Sequence, residues 1–170
     1  MEDTDGIYTA QSHHIGLSIH TNTYTVNLGR GLFCMNNILK NQLIAVYRGE
    51  LISTEEMNIR IINGHGGYHI DLEEEEGNIQ DETVLDCYNN AVNGHLPFCF
   101  ASMSNCLFNA INRTTRIPAV ENAFIEVIYN NIGDPISAAI YALTNILENT
   151  EIMIDYGEDY IYEDHWNDWI

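Results

Sequence analysis

The sequence predicts a mostly β fold with few short helices in a single domain, and three observations support this prediction. Short runs of β-branched, aromatic and other apolar residues recur along the chain, separated by Asn, Gly and Thr. The capping box Ser53-Thr-Glu-Glu56 predicts one short helix. At 170 residues, the chain is long enough for one core and too short for two comfortable ones.

Each predicted element follows from its local pattern. The predicted strands are residues 15–20, 24–28, 43–52, 68–72, 83–87, 124–129, 136–143 and 152–154. Arg48-Gly49 interrupts the strand at 43–52, and the helix starts directly after that strand. Turns or loops are predicted at 36–41, 64–67 and 130–135. Residues 88–100 are predicted to form an irregular helix and loop, because Gly94 and Pro97 lie within them.

The charge balance is the most unusual bulk property of the chain. Six Lys and Arg stand against 25 Asp and Glu, which gives a formal net charge of −19. Such a surface repels phosphate, so direct binding to nucleic acid is not expected, and a basic polypeptide is the natural partner. The alternative is that the acidity serves solubility alone. The acidic run at 73–76 is either a solvated hairpin tip or a landing surface for a basic substrate.

The cysteines and histidines give no metal signature. Cys34, Cys87, Cys99 and Cys106 have no CxxC spacing, so reduced and buried thiols are expected. His13-His14 has no third ligand nearby, and no metal is predicted. No run of about 18 apolar residues and no apolar leader is present, which predicts an intracellular protein without a membrane span.

Three short motifs carry most of the functional information. Gly29-Arg-Gly-Leu-Phe33 contains two glycines that let the backbone approach a ligand closely. Tyr47-Arg-Gly-Glu-Leu-Ile52 follows it, ahead of the predicted helix. Near the C-terminus, the apolar run Ile152-Met-Ile154 leads into Asp155-Tyr-Gly157. These motifs, in this order, resemble those of the SET domain, the fold of protein-lysine methyltransferases.

The resemblance implies a mostly β SET-domain fold of several short twisted sheets with a knot-like core. It places the domain at residues 15–160, after a polar lead-in at 1–14 and before an aromatic and acidic tail at 161–170. In this family, the segment around Asn105 and the last strand are threaded together beside the cofactor. The implied activity is transfer of a methyl group from S-adenosylmethionine to a protein lysine.

The resemblance also implies which residues bind S-adenosylmethionine. In the family, a Gly-x-Gly-(Leu/Val)-Phe backbone contacts the cofactor, and an Asn-His pair and a later Asn contribute further contacts. The best fit places the pair at Asn105-Cys106 and treats residues 107–120 as an insertion. The expected cofactor-binding residues are Gly29, Arg30, Gly31, Leu32, Phe33, Tyr68, Asn105, Cys106 and Asn122.

A second register of the Asn-His motif is open. It places Cys106 on a cysteine of the family motif and Asn109 on the later asparagine, and Met103 then replaces the first asparagine. The first register is preferred because an amide donates and accepts hydrogen bonds where a thioether cannot. In that register Cys106 replaces the family's histidine, which removes one polar contact to the cofactor.

Tyr156 and Tyr47 are the residues expected to be catalytic. The resemblance implies that Tyr156 orients the lysine amine and helps to polarise the methyl group. The expected substrate channel comprises Ile154, Tyr160 and Trp166, and the aromatic tail either covers this channel or simply packs on the core. Because Ile154 stands where a tyrosine limits methyl number in the family, di- or trimethylation is expected.

A basic protein tail such as a histone tail is the expected substrate class, and a nuclear location follows if the substrate is a histone. The alternative function is a catalytically silent SET-like module that binds a basic partner through its acidic surface. The oligomeric state stays open, with a homodimer among the options. The composition resembles that of minimal SET proteins of viral or microbial type.

Overall fold

The structure is a computed structural model that describes residues 2–12, 15–18, 23–27, 30–65, 67–73, 81–93, 95–103, 105–106 and 121–155. Strands dominate these residues. The strands are β1 (Ile7–Gln11), β2 (Ile15–Ser18), β3 (Thr23–Asn27), β4 (Arg30–Cys34), β5 (Leu43–Val46), β6 (Glu50–Ser53), β7 (His69–Asp71), β8 (Glu82–Asp86), β9 (Asn105–Cys106), β10 (Ala123–Tyr129), β11 (Pro135–Ala142) and β12 (Met153–Ile154). The helices are α1 (Thr54–Ile62) and α2 (Tyr88–Ala91), and a 3₁₀ turn covers Ala101–Met103.

The described strands form several small sheets, which confirms the predicted fold class. Two sheets have three strands, in the orders β10-β11-β5 and β6-β8-β7. Three sheets have two strands, namely β1-β4, β2-β3 and β12-β9. The pairings are antiparallel except for β12 with β9, which is parallel. Parallel strands cannot be joined by a tight hairpin, so the chain must return from a distance to form this pair.

Strand β1 lies in the segment before Ile15, where the sequence pattern predicts no strand. It pairs antiparallel with β4, and Tyr8 lies opposite Phe33 with the two rings stacked at 5.5 Å between centroids. The preceding residues also dock, since the Val46 amide donates to Asp3 Oδ1 at 2.7 Å. Its sequence, Ile-Tyr-Thr-Ala-Gln, includes residues that favour strands, but it lies within a polar lead-in, and pairing with β4 holds it in the strand conformation.

The stretch at 43–52, predicted as an interrupted strand, forms β5 and β6 in two different sheets. The break falls at the predicted place, between Tyr47 and Gly49. A Cβ atom on Gly49 would lie 2.3 Å from the carbonyl oxygen of Asp86, so only glycine fits there. This close approach explains why a glycine follows Arg48 in the motif.

Helix α1 begins as the capping box predicts. Ser53 Oγ accepts a hydrogen bond from the Glu56 amide at 3.2 Å. Near its end, the Arg60 guanidinium contacts Glu50 on β6 at 2.9 Å and the buried Asp86 on β8 at 2.7 Å. These ion pairs and the apolar contacts of Met57 stabilise the packing of α1 on the β6-β8-β7 sheet.

The core lies where β4, β5, β11 and the β12 strand meet. Its largest fully buried side chains include Phe33, Ile44, Ile140, Ile152 and Ile154. The last two come from the C-terminal apolar run that the sequence analysis placed next to the expected catalytic tyrosine. That run is therefore a central part of the fold.

Two similar turns flank the core, and we call them the first turn (residues 37–44) and the second turn (residues 145–152). Both read Asn-Ile-Leu-x-Asn-x-x-Ile, so five of the eight residues are shared. Ile38 and Ile146 face each other in an isolated antiparallel bridge. The fifth residue of each turn, Asn41 or Asn149, has a left-handed φ of 66° or 59°.

Candidate functional site: the β9–β12 pair and its surroundings

The parallel pair of β9 and β12 brings two of the expected site segments together. In its register, Met153 lies opposite Asn105 and Ile154 lies opposite Cys106. Neighbouring strands are about 4.8 Å apart, so the expected cofactor motif lies directly beside the strand that leads to Tyr156. The side chains of Asn105 and Cys106 lie outside the described residues, as does Tyr156.

The Asn122 side chain forms hydrogen bonds to the backbone where the chain enters β12. Its Nδ2 donates to the Glu151 carbonyl at 2.8 Å, and its Oδ1 accepts from the Met153 amide at 2.9 Å. Its backbone amide also donates to the Met153 carbonyl at 3.1 Å. A carboxamide can make four hydrogen bonds, and among the described residues Asn122 uses two of them in these contacts. The structure thus gives this expected cofactor residue a second task, which is to position β12.

Strand β4 carries the expected Gly-x-Gly contact. Leu32 and Phe33 have fully buried side chains, and the Leu32 carbonyl accepts from the Ile152 amide at 2.7 Å. Any cofactor contact at this strand therefore involves backbone groups near its start, at Arg30 and Gly31. The Arg30 guanidinium donates to the hydroxyl and carbonyl of Thr9 on β1. Gly29 lies outside the described residues.

Tyr47 lies in the β5–β6 break, and Tyr68 directly precedes β7. Tyr47 is buried in the core, where its amide donates to the Ala138 carbonyl at 2.9 Å and its carbonyl accepts from Ser137 Oγ at 3.2 Å. Tyr68 is partly buried and meets the ring of Tyr88 edge to face at 6.1 Å. Neither position is on the open surface.

Ile154 stands two residues before the expected catalytic tyrosine. Its side chain is fully buried, as are those of its neighbours Ile152 and Met153. Asp155 is the last described residue of the run and is partly exposed. The other expected channel residues, Tyr160 and Trp166, lie outside the described residues.

A cluster of polar atoms around two cysteines lies under the segment that leads to β9. Cys99 Sγ accepts from the Arg48 amide at 3.1 Å and lies 3.0 Å from Ser102 Oγ. A hydrogen bond from the Cys87 thiol, helped by these contacts, lowers the pKa of Cys99 to about 6 despite its burial. The same hydrogen bond raises the pKa of Cys87. The Cys99 thiol is therefore the more acidic of the two.

The free, buried state predicted for the cysteines is confirmed for Cys34, Cys87 and Cys99, while the Cys106 side chain is outside the described part. Within the described residues, no group of three potential ligands is placed to hold a metal ion. None of the described helices has the length and apolar character needed to cross a membrane.

Sequence reasoning missed a buried polar pair next to the site. Ser12 Oγ donates to the buried Glu151 carboxylate at 3.1 Å, across a separation of 139 residues. A buried carboxylate must be hydrogen-bonded to be tolerated. No local pattern links the two residues. The one available signal is that Glu151 stands directly before the apolar run Ile152-Met-Ile154.

The fold and the site define a class of protein: a small β protein in which a C-terminal strand is threaded parallel to an internal segment, beside a Gly-x-Gly strand. Comparison with known protein families matches the SET domain over residues 29–157. Because this match covers more than half of the sequence, the chain belongs to the SET domain family. Comparison with curated proteins finds no match.

Solved structures share the fold at low sequence identity. The crystal structure of the Chaetomium thermophilum polycomb repressive complex 2 aligns with a TM-score of 0.60 and 17% identity, over 94% of this chain and 16% of that chain. A ctPRC2 structure in an autoinhibited conformation bound to S-adenosylmethionine aligns with a TM-score of 0.59 and 18% identity, over 89% and 15%. Our chain therefore spans about one sixth of the length of these two chains.

A third structure, described as the structural basis for the product specificity of histone lysine methyltransferases, aligns with a TM-score of 0.55 and 20% identity. The alignment covers 78% of this chain and 47% of that one. At these identities the similarity establishes the fold, and the site residues rest on the geometry above.

Proposed function

We propose that this protein is an S-adenosylmethionine-dependent protein-lysine N-methyltransferase that acts on a basic protein tail. The observation that carries the proposal is the parallel pairing of Asn105–Cys106 with Met153–Ile154. It joins the segment expected to bind the cofactor to the strand that continues into Asp155 and Tyr156.

The residues around β9 fit the proposed cofactor. Within the described part of the chain, β9 has β12 as its single strand partner, so the backbone groups on its other edge can bind an adenosine moiety. Arg30 and Gly31 on β4 and the partly buried Tyr68 would complete the site, with Gly29, Asn105, Cys106 and Asn122. When bound, S-adenosylmethionine supplies an electrophilic methyl group on a sulfonium.

The protein must bind the lysine amine in its neutral form. Because an unperturbed lysine side chain has a pKa near 10.4, its deprotonation at pH 7 costs about 4.6 kcal/mol. An apolar wall such as Ile154 lowers that cost, because burial disfavours the charged amine. In the proposal, Tyr156 orients the amine and Tyr47 supports the site from the core. Tyr160 and Trp166 would close the channel.

The charge of the chain favours a basic substrate. A net charge of −19 attracts a Lys- and Arg-rich tail, and this attraction raises the rate of encounter at low salt. A histone tail has this chemistry, in which case the protein would act in the nucleus. Nucleic acid has the opposite charge requirement and is not a proposed ligand.

Calorimetric titration with S-adenosylmethionine tests the proposal. We expect saturable binding that is lost in Asn105→Ala and retained in Tyr156→Phe, together with methyl transfer to basic peptides that Tyr156→Phe abolishes. Absence of cofactor binding up to millimolar concentration would overturn the enzyme and favour the silent module. That module would still bind basic peptides, and the binding would weaken with added salt.

The number of methyl groups on the product lysine tests the proposed role of Ile154. We expect the wild-type protein to add more than one methyl group, because Ile154 brings no hydroxyl into the channel. Ile154→Tyr should shift the product toward monomethyl lysine, measured by mass spectrometry of a basic peptide. Ile154→Leu is the matched control, since it keeps the volume and adds no hydroxyl. An unchanged product distribution in Ile154→Tyr would contradict this role.

A further inference from the structure

An apolar patch lies on the outer side of the two turns. Ile38 and Ile146 point into the core, with 3% and 2% of their surface exposed, whereas the next residues, Leu39 and Leu147, are 65% and 70% exposed. Leu39 and Leu147 follow a bridged antiparallel pair and therefore lie diagonally across it, within reach of each other.

Two further apolar side chains occupy equivalent places just before the two turns. Met35 stands three residues before the first bridged isoleucine and Leu143 three residues before the second, and they are 57% and 37% exposed. We call Met35, Leu39, Leu143 and Leu147, with Lys40 and Glu148 at their rim, the paired-turn patch. Exposed apolar groups clustered in this way mark interaction sites more often than single exposed residues do.

The backbone of the paired-turn patch has a local two-fold arrangement. The bridged isoleucines exchange reciprocal hydrogen bonds, both 2.8 Å long. Around them, the Lys40 amide donates to Asn145 Oδ1 and the Glu148 amide donates to Asn37 Oδ1, again at the same 2.9 Å. Each of these contacts in one turn therefore has its counterpart in the other.

Charge is what breaks this local symmetry. Lys40 and Glu148 are the fourth residues of the two turns, both are exposed, and they carry opposite charges. Lysine and arginine are scarce in this chain, with six against 25 acidic residues. A two-fold arrangement with opposite charges at equivalent positions is self-complementary, because turning a copy over brings each charge onto its opposite.

We propose that the paired-turn patch is a self-association surface that binds a second copy of this chain. The two-fold axis of the pair lies in the plane of the patch, perpendicular to the line from Lys40 to Glu148. Lys40 of each copy then faces Glu148 of the second copy, and Leu39 packs on Leu147. The arrangement gives two ion pairs around one apolar centre.

A second copy fits the patch better than an unrelated partner does. A basic protein could contact the apolar side chains, but Lys40 would repel it. An acidic protein would be repelled by Glu148. The net charge of −19 opposes association, yet its distant charges are screened beyond about 8 Å at physiological salt. The local ion pairs act at contact distance, so the dimer should be better populated at physiological than at very low salt.

Sedimentation velocity of charge-reversal variants tests the proposal. Lys40→Glu and Glu148→Lys should each weaken dimerisation about tenfold or more, since each turns two attractions into two repulsions. The double variant with both reversals should restore it. Glu148→Lys lowers the overall negative charge, so general repulsion alone would predict tighter association for this variant. Tighter association, or no rescue in the double variant, would overturn the proposed geometry.

The apolar contact is tested separately. Leu39→Ser with Leu147→Ser should leave a folded monomer, checked by circular dichroism. Ile62→Ser on α1 is the matched control, since it removes a still more exposed isoleucine away from the patch and should leave the dimer intact. A wild-type protein that stays monomeric at every concentration, or equal losses in both variants, would refute the proposal. Neither measurement depends on methyltransferase activity.

Discussion

The first and second turns have nearly the same local sequence and the same local hydrogen bonds, but the chain leaves them toward different partners. After the first turn it forms β5, which pairs antiparallel with β11 at the edge of a three-stranded sheet. After the second it forms β12, a two-residue strand that pairs parallel with β9. Short-range sequence thus sets the turn, whereas distant residues decide where the following strand goes.

The prediction with the largest expected effect tests whether the two turns contribute equally to the stability of the fold. Ile38→Ala and Ile146→Ala each remove a buried side chain from the bridge, and each should lower the free energy of unfolding by about 2–5 kcal/mol. Urea denaturation measures the loss. Ile132→Ala, at an exposed isoleucine, is the control and should change stability by about 0.5 kcal/mol or less. A large difference in stability loss between Ile38→Ala and Ile146→Ala would show that the two turns do not contribute equally to the fold.

The next prediction concerns Asn122, which contacts the backbone where the chain passes from the second turn into β12. Asn122→Ala leaves the Glu151 carbonyl and the Met153 amide without their buried partner, and should cost about 2–4 kcal/mol. Asn130→Ala is a matched control, because Asn130 also makes side-chain hydrogen bonds to backbone amides but in an exposed turn. Chemical denaturation of both should give a clearly smaller loss for Asn130→Ala. Equal losses would mean that Asn122 does not hold β12.

The third prediction concerns Cys99, which lies in the segment that leads to β9. It is tested by measuring stability as a function of pH. The pKa of Cys99 is lowered to about 6 in the folded protein, against about 8.5 for a free thiol. The unfolded state therefore binds more protons between these values, and stability should rise as pH increases from 6 to 8, on the order of 1–2 kcal/mol.

The matched comparison for this titration is between two buried thiols. Cys99→Ser should remove most of the rise in stability between pH 6 and 8. Cys34→Ser should keep it, since burial raises the pKa of Cys34 and this thiol stays protonated in both states over that range. Denaturation midpoints of the three proteins, taken at each pH, measure the effect. A rise that persists unchanged in Cys99→Ser would assign it to other groups.

The smallest expected effect concerns the left-handed asparagines of the two turns. Asn41→Ala and Asn149→Ala should each cost about 1 kcal/mol, because alanine tolerates a φ near +60° less well than asparagine does. Glycine at the same positions relieves that strain and should be nearly neutral. Thermal unfolding of the four variants checks this. A cost for the glycine variants as large as for the alanine variants would show that the side chains, not the backbone, matter.

The sequence predicted the short-range features well. Ser53 caps α1, Gly49 separates β5 from β6, and the C-terminal apolar run is fully buried. Each of these depends on residues close in sequence, or on a steric requirement that one residue type meets. The SET family was recognised for the same reason, since its motifs are short and occur in a fixed order.

Long-range features were not predictable in the same way. Strand β1 lies within a polar lead-in and forms by pairing with β4, and Ser12 meets Glu151 across 139 residues. The repeated turns were visible in the sequence as Asn-Ile-Leu-x-Asn-x-x-Ile, but their reciprocal bridge was not. Pairing of this kind depends on the whole fold, which brings the partners together only after other elements have packed.

The sequence by itself determined the mostly β class, the start of a short helix at the Ser53 capping box, the strongly acidic charge and the order of the SET motifs. The tertiary structure decided the parallel β9–β12 pair, the positioning of β12 by Asn122 and the lowered pKa of Cys99. The physical reason is that local patterns fix backbone conformation and polarity residue by residue. Parallel pairing, buried hydrogen bonds and the opposite pKa shifts of two neighbouring thiols arise only when distant segments share one low-dielectric interior.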